Sequence, residues 1–166
     1  MDTPETMALG FKRALVPLDG SLVAEAILPQ FLRMAHALSM DVALIRVVVP
    51  TLNPVAIEEA PAEVANNAPT IERILDEADN YLRSVAALPA FDGLKVMTTV
   101  RTGEAPQEII AAAREIGADI IAMTTHGRTG LKRLLFGSVA EAVLRMADIP
   151  VFILRAAHLE AAMHVI

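Results

Sequence analysis

Apolar residues recur along the chain in two alternating patterns, short continuous runs and longer stretches with helical spacing. The continuous runs predict five buried strands, at 12–18, 41–49, 94–100, 119–123 and 150–154. Stripes that repeat every three or four residues predict four helices between them, at 21–39, 71–88, 103–117 and 139–146. Strands that alternate with helices, without hairpin signals, predict a single three-layer α/β/α domain with a five-stranded parallel sheet.

Some stretches depart from this alternation. Pro29 lies inside the first helical stripe and predicts a kink or an irregular first turn. The strand at 94–100 is less apolar than the others, which predicts a place at the edge of the sheet. Four prolines and the absence of a sustained period predict a long mobile loop at 50–69. We expect a loose N-terminal leader at 1–11 and an amphipathic C-terminal tail at 156–166.

Composition narrows the class of protein. The chain is 54% hydrophobic but only 4% aromatic, which predicts an aliphatic core of the kind found where helices pack on a parallel sheet. It has no cysteine, so disulfides and thiolate metal sites are excluded. No apolar run has the length of a signal peptide or a membrane span, and we therefore expect a soluble cytoplasmic protein without a membrane partner.

The stretch 124–138, TTHGRTGLKRLLFGS, joins a predicted strand to a predicted helix and combines glycine with positive charge. It contains Arg128, Lys132 and Arg133 and no carboxylate, whereas the whole chain has a net charge of −6. Backbone N–H groups and the positive end of the helix dipole converge in such a loop, where open α/β sheets bind phosphates. The stretch therefore predicts an anion site. One small basic patch on an acidic chain argues against duplex nucleic acid as a partner.

The same stretch resembles the nucleotide-binding motif of the universal stress proteins, in which a Gly, two residues, a Gly, nine residues and Gly-Ser or Gly-Thr follow one another. Gly127 and Gly137-Ser138 match this spacing, whereas Thr124 stands where the family has its first glycine. The resemblance covers about 12–155. It implies a Rossmann-like fold of the adenine nucleotide alpha hydrolase type, with strand order 3-2-1-4-5. It also implies ATP, alone or with a Mg or Mn ion, in a crevice between the first and fourth strands.

The resemblance further implies which residues contact the base. Pro17, Leu18 and Asp19 match the signature of the family's first strand, with Asp19 accepting a hydrogen bond from the adenine amino group. The alternative for Asp19 is an Asp-Gly turn in which the carboxylate bonds its own backbone. Val47 matches the position whose backbone reads the adenine edge, and Met123 lies under the same crevice. Both are equally typical of core residues.

The other residues that the resemblance implies lie near the sugar and the phosphates. They are Gly103, Thr124, His126, Gly127, Arg128, Gly137, Ser138 and Val139. A helix-entry turn is the alternative for Gly103, and a capping box formed by Ser138 and Glu141 is the alternative for the phosphate site. His126 is interpreted as a loop histidine, because the sequence pattern shows neither an orienting partner nor a nucleophile for it. We predict no catalytic residue and no protein metal site.

The residue at position 124 affects the expected affinity for ATP. Glycine permits backbone angles with positive φ, and a β-branched residue at such angles costs about 1–3 kcal/mol. If the position instead has ordinary strand angles, Thr124 costs little, and its hydroxyl can donate to a phosphate or ribose oxygen. In either case Thr124→Gly is expected to strengthen ATP binding or leave it unchanged. The favoured prediction is that ATP binds.

Three functions remain open at this point. A binding module whose occupancy regulates a partner or its own assembly is favoured, because the sequence supplies phosphate donors but no evident general base. A slow ATP hydrolase and a dimeric interaction protein with an empty crevice are the alternatives. A homodimer is predicted through the strand at 150–154, an apolar edge that needs a partner, with the tail at 156–166 crossing onto the neighbour.

Overall fold

The computed structural model describes residues 10–50, 70–125 and 137–156, which form a parallel sheet between two layers of helices. The strands are β1 (Arg13–Pro17), β2 (Asp41–Val48), β3 (Val96–Thr102), β4 (Ile120–Thr125) and β5 (Val151–Arg155). The helices are α1 (Leu22–Glu25), α2 (Leu28–Leu38), α3 (Ile71–Ala86), α4 (Ala105–Ile116) and α5 (Ser138–Met146), and a 3-10 turn covers Pro89–Phe91. The strand order β3-β2-β1-β4-β5, with parallel pairing throughout, confirms the predicted fold class and order.

Two apolar cores lie on opposite faces of the sheet, because successive strand side chains point to opposite sides. Val42 and Leu44 of β2 pack with Phe31 of α2 on one face, which α1, α2 and α3 cover. Ala43 of β2 packs with Ile109 of α4 on the other face, which α4 and α5 cover. The buried residues of each strand therefore alternate between the two cores.

The first helical stripe is irregular where the sequence predicts it. Ser21 caps α1 by accepting the N–H of Ala24 on its hydroxyl at 3.1 Å. The chain then turns and starts again as α2, with Pro29 in the first turn, where a missing N–H costs no helical hydrogen bond. The predicted kink is thus confirmed as a break between two helices. Gly117 ends α4 in the left-handed conformation, with φ of 63°, as its place in the sequence indicates.

Ionic contacts tie the strands together at the amino edge of the sheet. The Arg13 guanidinium donates to Asp41 Oδ2 at 3.0 Å and to the Ile116 carbonyl at 2.6 Å. The Asp119 carboxylate accepts the backbone N–H groups of Lys12 and Arg13. The hydrogen bond from Arg13 holds the pKa of Asp41 below its usual value, although partial desolvation opposes it. These contacts join β1, β2 and the start of β4 at the edge opposite the predicted crevice.

Parts of the predicted domain organisation lie outside the described residues. These parts are the leader up to residue 9, the loop at 51–69 and the tail from 157, and the predictions for them remain predictions. Phe11, at the end of the predicted leader, packs against the core that α1, α2 and α3 cover. Within the described ranges, none of the helices combines the length and hydropathy needed to cross a membrane. The predicted edge position of the third strand is confirmed by β3.

Candidate functional site

A crevice opens at the carboxyl edge of the sheet because β1 and β4 diverge. β1 is in register with β2 over five residue pairs, from Arg13 to Pro17. It is in register with β4 over only two pairs, Ala14 with Ile120 and Leu15 with Ile121. This is the point at which the strand order reverses, and open α/β sheets bind ligands at this topological position.

Pro17 lies in a central strand without costing the sheet a hydrogen bond. The Leu18 N–H donates to the Ile45 carbonyl of β2 at 2.8 Å, whereas the Arg13 carbonyl accepts from Asp119 beside β4 at 2.9 Å. The backbone groups of successive β1 residues therefore point alternately toward β2 and β4. Those of Pro17, like those of Arg13, point toward β4. Since β4 has already diverged there, the missing N–H falls in the crevice, which explains why proline is tolerated.

Val47 presents unused backbone groups to the same crevice. Successive β2 residues also alternate, so that the Asp41 N–H donates toward β1 and the Val42 N–H donates toward β3. The backbone groups of Val47, like those of Asp41, point toward β1. However, the pairing of β2 with β1 ends at Leu18. Among the described residues, nothing pairs with the N–H or the carbonyl of Val47 on this side. One donor and one acceptor are therefore available to a planar ligand.

The crevice encloses a volume of about 250 Å³. Nine of the predicted site residues line it, namely Pro17, Leu18, Asp19, Val47, Met123, Thr124, Gly137, Ser138 and Val139. Six further residues line it without a motif that indicates a site, namely Ser21, Ala24, Ile45, Ala105, Ile109 and Ala140. Ile45, Ile109 and Met123 are buried, and they give the cavity apolar walls.

Four predicted residues are not placed at the cavity. His126, Gly127 and Arg128 lie outside the described residues. Gly103 is described but does not line the cavity. Its φ of 144° and its N–H bond to the Val48 carbonyl at 3.1 Å form the turn into α4. A Cβ on Gly103 would meet Glu108 at 3.0 Å, and the helix-entry alternative therefore accounts for this glycine.

Asp19 occupies the end of the crevice next to β1. Its Oδ1 accepts the N–H of Ser21 at 2.9 Å, so the Asp-Gly turn that was the alternative for this residue is formed. The carboxylate is exposed, and Oδ2 has no hydrogen-bond partner among the described residues. One carboxylate oxygen thus holds the turn, and the other can accept from a ligand.

The Asp19 turn packs against a row of three contacting side chains, Arg46, Tyr81 and Glu25. Gly20, with φ of 88°, faces the Arg46 guanidinium, and a Cβ on this glycine would lie 3.5 Å from it. Arg46 Cζ lies 5.2 Å from the centre of the Tyr81 ring, within the range of a cation–π contact. The Tyr81 hydroxyl donates to Glu25 Oε1 at 2.8 Å. Burial, and then the Glu25 carboxylate, raise the pKa of Tyr81, so the phenol remains a donor.

The other end of the crevice is the start of α5. Gly137 is the N-cap, and Ser138 is already the first helical residue, with no capping bond from its side chain. The Glu141 carboxylate pairs with Arg145, so the capping-box alternative is not formed. Within the described ranges, no group accepts the N–H of Ser138, Val139 or Ala140. Three helix-end donors thus face a cavity that Ser138 and its two successors line.

Thr124 lies in β4 with ordinary strand angles. Ser39 is the one non-glycine residue with positive φ in the described part of the chain, and Thr124 pairs in register with Leu154 of β5. The strain that a positive φ would impose is therefore absent. Of the two cases set out for Thr124, the structure shows the one in which threonine costs little.

The arrangement suits a ligand with a flat apolar part and an anionic end. Apolar walls can bury a ring, Asp19 and the Val47 backbone can hydrogen-bond its edge, and the start of α5 can bind an anion. Among the described residues, no group of three His, Asp or Glu side chains could hold a metal ion.

A parallel sheet of order 3-2-1-4-5, with a polar-ended cavity at its switch point, places the chain in the class of Rossmann-like α/β domains. Within that class, the chain belongs to the universal stress protein family, whose model matches residues 10–155. It is 32% identical to the universal stress protein MJ0531 of Methanocaldococcus jannaschii over 145 residues, which cover 87% of this chain and 82% of the relative.

Two solved structures illustrate the likeness of fold. Hypothetical protein MJ0577 of Methanocaldococcus jannaschii superposes with a TM-score of 0.67 and 29% identity, over 87% of this chain and 96% of that chain. A universal stress protein from Archaeoglobus fulgidus in complex with dAMP superposes with a TM-score of 0.52 and 20% identity, over 86% of this chain and 97% of that chain.

Proposed function

We propose that this chain binds ATP in the cavity between β1 and β4 and acts as a regulatory module of the stress response. The observation that carries the proposal is the cavity itself, which joins apolar walls to unpaired hydrogen-bonding groups at both ends. The Archaeoglobus fulgidus protein of the same fold holds dAMP, an adenine nucleotide, which supports this choice of ligand.

In this proposal the adenine lies between Ile109 and Met123, with its polar edge toward Asp19 and the Val47 backbone. An amino group needs an acceptor and a ring nitrogen needs a donor, and these two residues offer both kinds of group. Both walls are nearly free of solvent, at 2% and 6% exposure, so the base exchanges water for apolar contact. Adenine is thereby preferred to a base that presents a carbonyl at the same edge.

The phosphates extend toward the N–H groups of Ser138, Val139 and Ala140. Backbone N–H groups at the start of a helix stabilise a bound anion even where no Lys or Arg side chain contacts it. A Mg or Mn ion fits this site as part of the incoming nucleotide, bound to phosphate oxygens and water, which is how Mg²⁺ commonly reaches phosphate sites. The described residues supply recognition groups for the nucleotide and no ligand cluster for the ion.

The two alternatives gain less support. Hydrolysis needs a positioned base for the attacking water, and among the described residues the one carboxylate that lines the cavity, Asp19, lies at the adenine end, where its Oδ1 accepts the N–H of Ser21. The empty-crevice alternative rests on the glycine that Thr124 replaces, and Thr124 has strand angles at which threonine costs little. Regulation through nucleotide occupancy therefore remains the favoured function, and the cytoplasmic location remains a prediction.

Titration calorimetry tests the proposal directly. We expect one ATP to bind per chain, with adenosine binding more weakly because it lacks the phosphates, and GTP more weakly because its base differs at the Asp19 end. Thr124→Gly is the matched control and should leave affinity unchanged, since no positive φ is relieved. Absence of heat and of thermal stabilisation at millimolar ATP, in both wild type and Thr124→Gly, would contradict nucleotide binding.

We also propose a homodimer formed by pairing of β5 with its symmetry mate. β5 pairs with β4 on one side and, among the described strands, has no neighbour on the other. Its residues Val151 to Leu154 are apolar and only half-buried, which is a liability for an unpaired edge. An isologous contact between two such edges would satisfy their outward backbone groups.

Ile153→Pro should convert this dimer to a monomer. The Pro150 carbonyl accepts the N–H of Ile121, so the backbone groups of Pro150 point toward β4. Because these directions alternate along the strand, the N–H of Ile153, three residues later, points outward. Proline there removes an outward donor and keeps the bonds to β4, as edge strands allow. Light scattering should give twice the 17.8 kDa chain mass for wild type and the control Ile153→Val. A monomeric wild type at micromolar concentration would refute the dimer.

A further inference from the structure

Thr125, the last residue of β4, makes a polar contact that connects the strand to the phosphate end of the cavity. Its hydroxyl oxygen accepts the N–H of Gly137 at 3.3 Å, across twelve positions of the chain. Thr125 is 6% exposed, and it is the one buried polar side chain in the described part of the molecule. It does not line the cavity, so a ligand there would not touch it.

The contact fixes where α5 begins. Gly137 is the N-cap of α5, with φ of −57° and ψ of 150°, and its N–H is one of the donors that a helix start leaves unsatisfied. Because Thr125 accepts this N–H, the cap is tied to the end of β4, which itself pairs with β5 up to Arg155. The next three N–H groups of the chain are thereby held in one orientation toward the cavity.

The same contact changes which donors a phosphate can use. From the sequence, the backbone groups expected to bind the phosphates include that of Gly137. In the structure the Gly137 N–H is already bonded to Thr125, whereas those of Ser138, Val139 and Ala140 have no acceptor among the described residues. The Gly137 N–H is partly buried, and such a donor keeps its partner unless the replacement is at least as good, because leaving it unpaired away from water is costly.

We propose that Thr125 is a positioning residue, which holds the start of α5 so that the N–H groups after Gly137 converge on the ligand's phosphates. This inference rests on the proposed nucleotide binding and adds to it the residue on which phosphate affinity depends. The role belongs to the hydroxyl, because valine has nearly the same shape as threonine but cannot accept a hydrogen bond. Serine retains the acceptor and loses only a methyl group.

The test compares wild type, Thr125→Val and Thr125→Ser in titrations with ATP and with adenosine. Thr125→Val should weaken ATP binding about tenfold, the equivalent of one hydrogen bond, and leave adenosine binding unchanged, because the adenine end is at the far side of the cavity. Thr125→Ser should bind both ligands as wild type does. A purely structural role for Thr125 would instead lower both affinities together, and that result, or equal ATP affinity in the valine and serine variants, would overturn the proposal.

Amide exchange at Gly137, measured by NMR without ligand, separates this inference from the proposed function. The Gly137 amide should exchange at least several-fold faster in Thr125→Val than in wild type and Thr125→Ser, because its acceptor is gone. If wild type binds no nucleotide but the exchange rates differ in this way, nucleotide binding fails while the anchoring of α5 stands. If the three exchange rates agree, the anchoring itself is wrong.

Discussion

Ser138→Pro should weaken ATP binding about tenfold to a hundredfold and leave the fold intact. The backbone N–H of Ser138 is the first of the three unpaired donors at the start of α5, and a hydrogen bond to a charged group contributes about 1.5–3 kcal/mol. Ser138 is the first residue of the helix, where proline is well accommodated. Gly137, with ψ of 150°, already has the extended conformation that a residue before proline requires.

Ser138→Ala is the matched control, since it removes the hydroxyl and keeps the N–H. Calorimetry with ATP gives the affinities of both variants, and thermal unfolding shows whether α5 is preserved. An affinity loss in Ser138→Ala as large as that in Ser138→Pro would assign the effect to the hydroxyl. Unchanged binding by a folded Ser138→Pro variant would exclude the first N–H of α5 from the phosphate site.

Phe31→Ala should lower the free energy of unfolding by about 3–5 kcal/mol. Phe31 is the largest of the fully buried side chains in the described residues, with 0% exposure, and it packs between α2 and the face of the sheet away from Ile109. Truncation removes a large apolar contact and leaves a cavity that rigid strands cannot fill. Because the buried apolar walls of the crevice, Ile45, Ile109 and Met123, belong to the other core, the affinity of the folded fraction for ATP should change little.

Urea denaturation measures this loss, and Leu38→Ala at the end of the same helix provides the comparison. Leu38 is 41% exposed, so its truncation should cost well under about 1 kcal/mol. Saturating ATP should raise the stability of both variants equally, since a ligand that binds only the folded state stabilises it by its own mass action. A cost for Phe31→Ala no greater than that for Leu38→Ala would refute its central place in the core.

The fold was predictable from sequence because its signals are local. Strands buried on both faces appear as continuous apolar runs, and the break at Pro29 follows from proline chemistry. The boundaries were less accurate, as the third strand shows. It was predicted at 94–100 and spans Val96–Thr102, since its apolar run begins within the turn that follows Gly93 and β3 extends past Val100 to polar Arg101 and Thr102.

The candidate site was only partly predictable, because it forms where distant segments pack together. Asp19 and Ser138 were found through their motifs, whereas Ala105 and Ile109 sit at the start of a helix that carries no motif. Thr125 could not be distinguished in sequence from an ordinary strand end, because its partner lies twelve positions away. Gly103 makes the turn into α4, and its contact with the sugar and base stays a prediction, because both uses place a glycine there.

Pro17 has a consequence for the speed of ligand entry. Without a ligand between them, two adjacent strands could move together and form backbone hydrogen bonds. A ligand could then bind only after the strands had separated. Pro17 faces β4 without an N–H to offer, so closure of β4 onto this part of β1 would gain no hydrogen bond from that residue. We therefore expect the crevice to stay open in the unliganded chain, so that the proposed nucleotide could enter without a prior opening step.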